Sequence, residues 1–280
     1  MDTTVSLVEA AERMGVHYMT AYRHVRTGRL PATRVGGMWR VESRDVEAVV
    51  STPMANARRD VPISQRQARL RSRLEEGDEP GAWTLVEEAL IAGLEPRQIY
   101  TELIVPVLQG VEDDLDAGRA SVAQEHRANV VVTRLVGRLG CRFHRRGRKW
   151  GTVVVGMCEG DTNPLGCAML ADLLREERLF VVDLGPDTPP EAFVETALGV
   201  DRLVAVVVGT SMPDLDGAVR ATVSAVRSAG CAVPVLAGGV AVHDHEHALG
   251  LGADAWTGPD LLAAVLAVTS AVTADRPPDP

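Results

Sequence analysis

Five short apolar runs recur through the second half of the chain: GTVVVGM, LFVVDLG, RLVAVVVGTS, VPVLAGG and ADAWTG. A segment with helically spaced apolar positions follows each one. Near-continuous apolar strands alternating with helices predict a Rossmann-like, doubly wound parallel sheet over residues 149–270, covered on both faces. Upstream, the apolar period is helical throughout. Helices are predicted over Gln65–Glu76, Ala82–Ala92, Pro96–Ala117 and Ser121–Gly140, and their short connections predict a four-helix bundle occupying residues 76–148. The first 52 residues have a third pattern. VSLVEAAERMG spaces Leu7, Ala10, Ala11 and Met14 for a helix, and Ser6 with Glu9 has capping-box form. HYMTAYRHVRTG predicts a second helix on Met19, Tyr22 and Val25. TRVGGMWRV predicts a hairpin turning at Gly36-Gly37, followed by a helix from Ser43. Residues 53–75, beginning STPMANARRDVPIS, are expected to be a linker and the start of the first bundle helix. The tail, 271–280, is expected to be disordered. The fold class is therefore multidomain α and α/β: a winged helix-turn-helix, a helical bundle and a parallel sheet.

Charge sharpens this division. Net charge is −9, but residues 1–73 hold thirteen arginines and no lysine against seven acids, about +6, which leaves about −15 for the rest. A basic head on an acidic body suits a DNA-binding module joined to a different domain. No apolar run is long enough to span a bilayer, and MDTTVSLVEA has no signal-peptide pattern, so a cytoplasmic protein without a membrane partner is expected. The four cysteines lack zinc-finger spacing and are expected to be reduced thiols.

The stretch EAAERMGVHYMTAYRHVRTGRLPATRVGGMWRVESRDVEAVV resembles the winged-helix heads of MerR-type regulators and excisionases. That resemblance implies a second helix in the major groove and a wing on the backbone. Thr20, Arg23, His24 and Arg26 would face DNA, with Arg34 and Arg40 on the wing. Tyr22 belongs to the same helix, although it and Trp39 are better suited to packing the wing onto the helices. Arginine fits both tasks, because its fork pairs with guanine edges and with phosphates. A helical protein-interaction module with a solvated arginine face is the alternative.

In the bundle, LDAGRASVAQEH resembles part of the cobalamin-dependent CarH/LitR photoreceptor repressors, which are themselves MerR-type. Their bundle carries Trp, nine residues, then Glu-His. Here Glu125 and His126 keep that spacing, but Leu115 stands at the Trp position. The parallel-sheet domain resembles cobalamin-binding domains through Asp161 and Gly166 of an Asp-x-His-x-x-Gly motif, LGPDTP at 184–189, Ser211, and Gly238-Gly239. The motif's His is Asn163 here. An amide nitrogen has no free lone pair, and an amide oxygen is a poor ligand for cobalt.

The resemblance implies a transcriptional regulator on double-stranded promoter DNA, working as a homodimer or homotetramer, with RNA polymerase as a further partner. In that family adenosylcobalamin holds a tetramer on DNA and light dismantles it. With Leu115 and Asn163 changed, that photochemistry is expected to be absent. Cobalamin could be held with its own base on cobalt or through His126; otherwise the pocket holds another small molecule or serves assembly only. His243 and His247, spaced i, i+4, are read as a solvated helix start without a carboxylate to complete a metal site. No nucleophile-base pair, phosphate loop or paired catalytic carboxylate stands out, so no enzymatic activity is expected. The rival reading is a corrinoid-carrying component of a methyltransferase or mutase system.

Overall fold

Alternating burial and turn chemistry build the head in the computed structural model, which describes residues 4–14, 21, 22, 24, 25, 30–36, 38–51, 61–145 and 147–272. The chain divides into two compact units, Met1–Pro62 and Ile63–Pro280. In the first unit, β1 (Thr4–Ser6), β2 (Ala32–Val35) and β3 (Met38–Glu42) form an antiparallel sheet in the order β1-β3-β2. Val35 pairs with Met38 across the predicted turn, and Gly36 there has φ +57°, a conformation glycine adopts without steric cost. Helix α1 (Leu7–Arg13) starts where Ser6 Oγ accepts the Glu9 N–H at 3.2 Å. The capping box is only half made, because the Glu9 carboxylate turns forward to Arg13. Helix α2 (Ser43–Ser51) closes the unit. Its core is Val5, Leu7, Ala10, Ala11, Ala21, Leu30, Val41 and Val46, with Tyr22 and Trp39 packed against it. Strand β1 was not anticipated, since three residues show no period of their own and are held by pairing with β3.

The second unit begins with α3 (Ile63–Glu76) and α4 (Glu79–Ile91), so the bundle starts well before residue 76. The helix expected over Pro96–Ala117 is interrupted: an α-turn at Pro96–Gln98 passes into a π-helical turn at Ile99–Ile104, then α5 (Val105–Asp116). Pro106 supplies the reason. It has no N–H to give the Glu102 carbonyl four residues back, and its ring crowds that carbonyl. The Val105 N–H bonds instead to the Tyr100 carbonyl, five residues back, and Gln67 Nε2 satisfies Glu102 O at 2.7 Å. Helix α6 (Val122–Leu139) opens with a complete Ser121–Gln124 capping box and ends in a 3-10 turn, Gly140–Phe143.

Strands β4 (Thr152–Met157), β5 (Phe180–Asp183), β6 (Leu203–Gly209), β7 (Val235–Gly238) and β8 (Ala255–Trp256) follow, in the parallel order β5-β4-β6-β7-β8. Helices α7 (Leu165–Glu176), α8 (Pro190–Gly199), α9 (Asp216–Ser228), α10 (His245–Gly250) and α11 (Leu261–Val272) connect or follow them. All six residues of β4 are buried, as a strand covered on both faces requires. One face shares a continuous core with the bundle through Val153, Val155, Leu170 and Leu173; Val154, Phe193, Val206 and Val223 lie in the core of the other. Chain order reverses direction at β4, whose neighbours are β5 on one side and β6 on the other. The crevice at the carboxyl ends of such strands is where open α/β sheets place ligands. The expected disordered tail, beyond its first two residues, lies outside the described residues.

Candidate functional site

Beyond β4 the chain reaches Asp161, which is 0% exposed and saturated with hydrogen bonds. Its Oδ1 accepts the Asn163 N–H at 3.0 Å, and both oxygens accept from Ser211 Oγ at 3.0 Å. Oδ2 also accepts the backbone N–H groups of Ser211 and Met212. One buried carboxylate thus ties the β4 loop to the β6 loop. Asn163 Oδ1 accepts the Leu165 N–H at 3.1 Å and so starts α7, where Pro164 has no side chain able to do so.

A cleft of about 680 Å³ opens above these loops, within the range of small-molecule and cofactor sites. Met157, Asn163, Gly166, Cys167, Ser211, Gly238 and Gly239 line one side. Val240, Val242, His243 and residues 256–262 continue the wall, and Trp256 Nε1 donates to Val242 O at 3.0 Å to fasten that loop. The bundle supplies Thr101, Val105, Pro106, Leu108, Gln109 and Glu112. Two glycine positions shape the slot differently. Gly239 has φ +100°, and a Cβ there would collide with the Thr210 backbone; a Cβ on Gly166 would meet nothing within 4 Å. The first glycine is demanded by the backbone, the second leaves free space along the cleft.

Partial burial, then repulsion from Glu125, Asp113 and Asp116, raises the Glu112 carboxyl above its ordinary range. Burial pushes up the Cys167 and Cys158 thiols, which keeps both protonated and inert. All four cysteines are free thiols.

Asn163, Gly166, Ser211, Gly238 and Gly239 are thus brought together on one wall, with Asp161 buried behind them. Leu115, Glu125 and His126 do not line the cleft, contrary to the expected placement. Leu115 is half-buried near the end of α5; Glu125 accepts from Asn129; the His126 side chain is 75% exposed, 3.8 Å from Glu125. Their grouping rests on the family resemblance, whereas the face of α5 turned to the cleft carries Val105, Leu108, Gln109 and Glu112. These four stand at i, i+3, i+4 and i+7, and the polar pair interrupting an apolar stripe was the available signal. The histidine reading also changes. His243 precedes α10, its ring stacks on His247 at 5.2 Å, and His247 Nε2 lies 3.2 Å from Asp216, the carboxylate thought missing. No group of three or more metal-ligating side chains occurs among the described residues.

In the head, Thr20, Arg23 and Arg26 lie outside the described residues. Tyr22 and His24 are half-buried on helical backbone, and Tyr22 packs on the core. The Arg34 guanidinium lies 5.8 Å over the Trp39 ring. Arg34 pairs with Trp39 and Arg40 with Thr33, so the two arginines emerge on opposite faces of the hairpin. No helix among the described residues is long and apolar enough to cross a membrane.

Comparison with known proteins agrees with this division. Residues 4–52 match a family described as a helix-turn-helix domain, and residues 66–139 and 151–266 match two families, each described as a B12 binding domain. "Trimethylamine corrinoid protein 2" of Methanosarcina acetivorans is 31% identical over 133 residues, 46% of this chain and 61% of that protein. "Trimethylamine corrinoid protein 1" of the same organism is 29% identical over 133 residues, covering 46% and 62%. The chain therefore spans about three fifths of the length of these relatives. The solved monomethylamine corrinoid protein of Methanosarcina barkeri superposes with a TM-score of 0.66 at 22% identity, over 75% of this chain and 100% of that one, a likeness of fold. Against a B12-type cofactor, the open space at Gly166 and the glycine wall fit an extended ligand segment. The donor set does not fit cobalt ligation from position 163, where an amide with its oxygen already bonded replaces an imidazole.

Proposed function

We propose that this chain, a helix-turn-helix domain followed by paired B12-binding domains, is a MerR-type transcriptional regulator that binds promoter DNA and senses a cobalamin-type ligand. The observation that carries this is the joining, on one chain, of a basic three-stranded winged head to a unit with a glycine-walled cleft. The bundle face of the cleft and the sheet loops belong to different layers, so a ligand held between them would bias their packing. Gly166, Ser211, Gly238 and Gly239 would hold the extended part of the ligand, and Thr101, Gln109 and Glu112 would meet its other side. Bound cobalamin would supply a light-absorbing, redox-active cobalt corrin. In this reading the cleft is a sensor and an assembly element rather than a catalytic centre, and homodimers or homotetramers form on DNA.

Electrophoretic mobility of the chain's own promoter tests it. Binding at low salt that weakens steeply as salt rises is expected, because phosphate contacts release counterions. No binding at low salt to any promoter fragment sinks the regulator reading. The second reading, a corrinoid carrier for methyl transfer, is favoured by the names of the relatives above. It leaves the head without a role, and it predicts methylation of bound cobalamin by a methyltransferase and no salt-dependent DNA binding.

A further inference from the structure

We propose that the amino end of the parallel sheet is a second, sequence-independent contact to duplex DNA, with Arg148 and Arg178 on backbone phosphates. This rests on the regulator reading above and adds to the head a contact made by the sheet domain. Residues 126–158 contain no acid, seven arginines and the chain's single lysine, inside a body that is otherwise strongly acidic. Most of these cations are engaged. Arg134 and Arg138 lie 2.6 and 3.8 Å from Glu79, Arg145 lies 2.7 Å from Glu176, and Arg127 Nε donates to the Glu75 carbonyl at 2.7 Å. Arg148 is exposed and has no carboxylate partner among the described residues, and the same holds for Arg178.

Topology brings these two together. Strands β5, β4 and β6 lie side by side, and a basic loop enters each: Arg178 precedes β5, Arg148 and Lys149 precede β4, and Arg202 precedes β6. Hydrogen bonds lace the three entries. The Trp150 N–H donates to Arg178 O at 3.3 Å, the Phe180 N–H to Gly151 O at 2.9 Å, and the Thr152 N–H to Arg202 O at 2.9 Å. Arg202 Nη2 donates to Trp150 O at 2.6 Å. Of the acids in these loops, Glu177 is taken by Arg97, and Asp201 remains against the four cations. Crowding of positive charge shows at Lys149, whose ammonium is lowered by burial and then by Arg175 and Arg178. Neighbouring strands are about 4.8 Å apart, so the row spans about 10 Å, room for about three phosphates of one DNA strand. Arginine suits them because its fork matches phosphate. Duplex DNA is the polyanion to which the basic head already points. Ligand and DNA do not compete, since the cleft lies at the carboxyl end of the sheet.

The experiment measures fluorescence anisotropy of the full chain on its own promoter duplex and on an unrelated duplex of equal length, across a salt series. The double variant Arg148→Gln, Arg178→Gln is compared with the parent and with Arg148→Lys, Arg178→Lys. Losing two phosphate contacts should make the slope of log affinity against log salt shallower by about 1.8 on both duplexes. Over a fourfold rise in salt the parent then loses about twelvefold more affinity than the Gln variant. The Lys variant should keep the parent's slope with the same melting curve. An unchanged slope in the Gln variant overturns the proposal, as does an equal loss in the Lys variant or a loss confined to the promoter duplex. An unchanged duplex slope with charge-dependent capture on phosphatidylserine vesicles also overturns it, in favour of a membrane surface. If the parent binds neither duplex at low salt, the regulator reading itself fails. That outcome is recognised separately, because the parent then has no slope to compare.

Discussion

Tyr100→Phe tests how the bundle is fastened to helix α7 of the sheet domain. Tyr100 is fully buried in the π-helical turn, and its hydroxyl donates to Asp172 Oδ2 at 2.7 Å on α7, a residue 4% exposed. Arg175 donates to the other oxygen at 2.7 Å. Burial, then the neighbouring carboxylate, pushes the phenol far above its ordinary range, so it remains a donor at any pH suited to the fold. The substitution removes one O–H and keeps the ring, which stacks on Phe143 at 4.9 Å, so no cavity forms. A hydrogen bond to an ionised group contributes about 1.5–3 kcal/mol. At about 2–4 °C per kcal/mol for a unit of this size, the Tm should fall by roughly 3–12 °C. The assay is thermal melting of the intact chain by circular dichroism at neutral pH, extended to a double-mutant cycle with Asp172→Asn. Coupling of about 1 kcal/mol or more is expected for groups in direct contact. A Tyr100→Phe variant melting within about one degree of the parent, or a cycle with no coupling, would refute the reasoning.

Other consequences are equally direct. Gly239→Ala should destabilise the chain by more than about 1 kcal/mol, from positive φ and collision with the Thr210 backbone, whereas Gly166→Ala should melt like the parent yet bind cobalamin more weakly; the pair is read by melting and titration. Because Arg34 and Arg40 leave the hairpin on opposite faces, alanine at one should lower the salt dependence of DNA binding by about one counterion and alanine at the other should not. Equal loss from both contradicts this wing orientation. The raised Glu112 carboxyl binds its proton more readily folded than unfolded, so its contribution to stability improves as pH falls through the folded pKa toward the unfolded one. Glu112→Gln should therefore melt higher at pH 7.5 and gain less on acidification to about pH 5 than the parent; identical pH profiles would remove the argument.

Much of this architecture is legible because burial leaves a local trace. β4 and β6 lie between two layers, so both alternating sets of side chains are apolar and the runs stand out. The hairpin that pairs Val35 with Met38 and the Ser121–Gln124 cap are short-range chemistry, visible within a few residues. Other features leave no such trace. β1 exists through its partner β3, and the π-helical turn depends on Gln67, thirty-five residues away from Glu102, donating the hydrogen bond that Pro106 cannot. His247 finds Asp216 across a gap of thirty-one residues.

The candidate site divides in the same way. Asp161, Asn163, Gly166, Ser211 and the glycine pair could be named from the chain because they sit at strand ends, where a parallel sheet must place its loops. The chemistry at Asn163 also followed from its identity, since no packing gives an amide nitrogen a free lone pair. Which bundle residues face those loops was decided by the tertiary structure. Leu115, Glu125 and His126 match the family's spacing but do not line the cleft, whereas Leu108, Gln109 and Glu112 do. Spacing records the angle between side chains on one helix; which angle meets the sheet is settled when the bundle docks and buries Val153, Val155 and Leu170 with it.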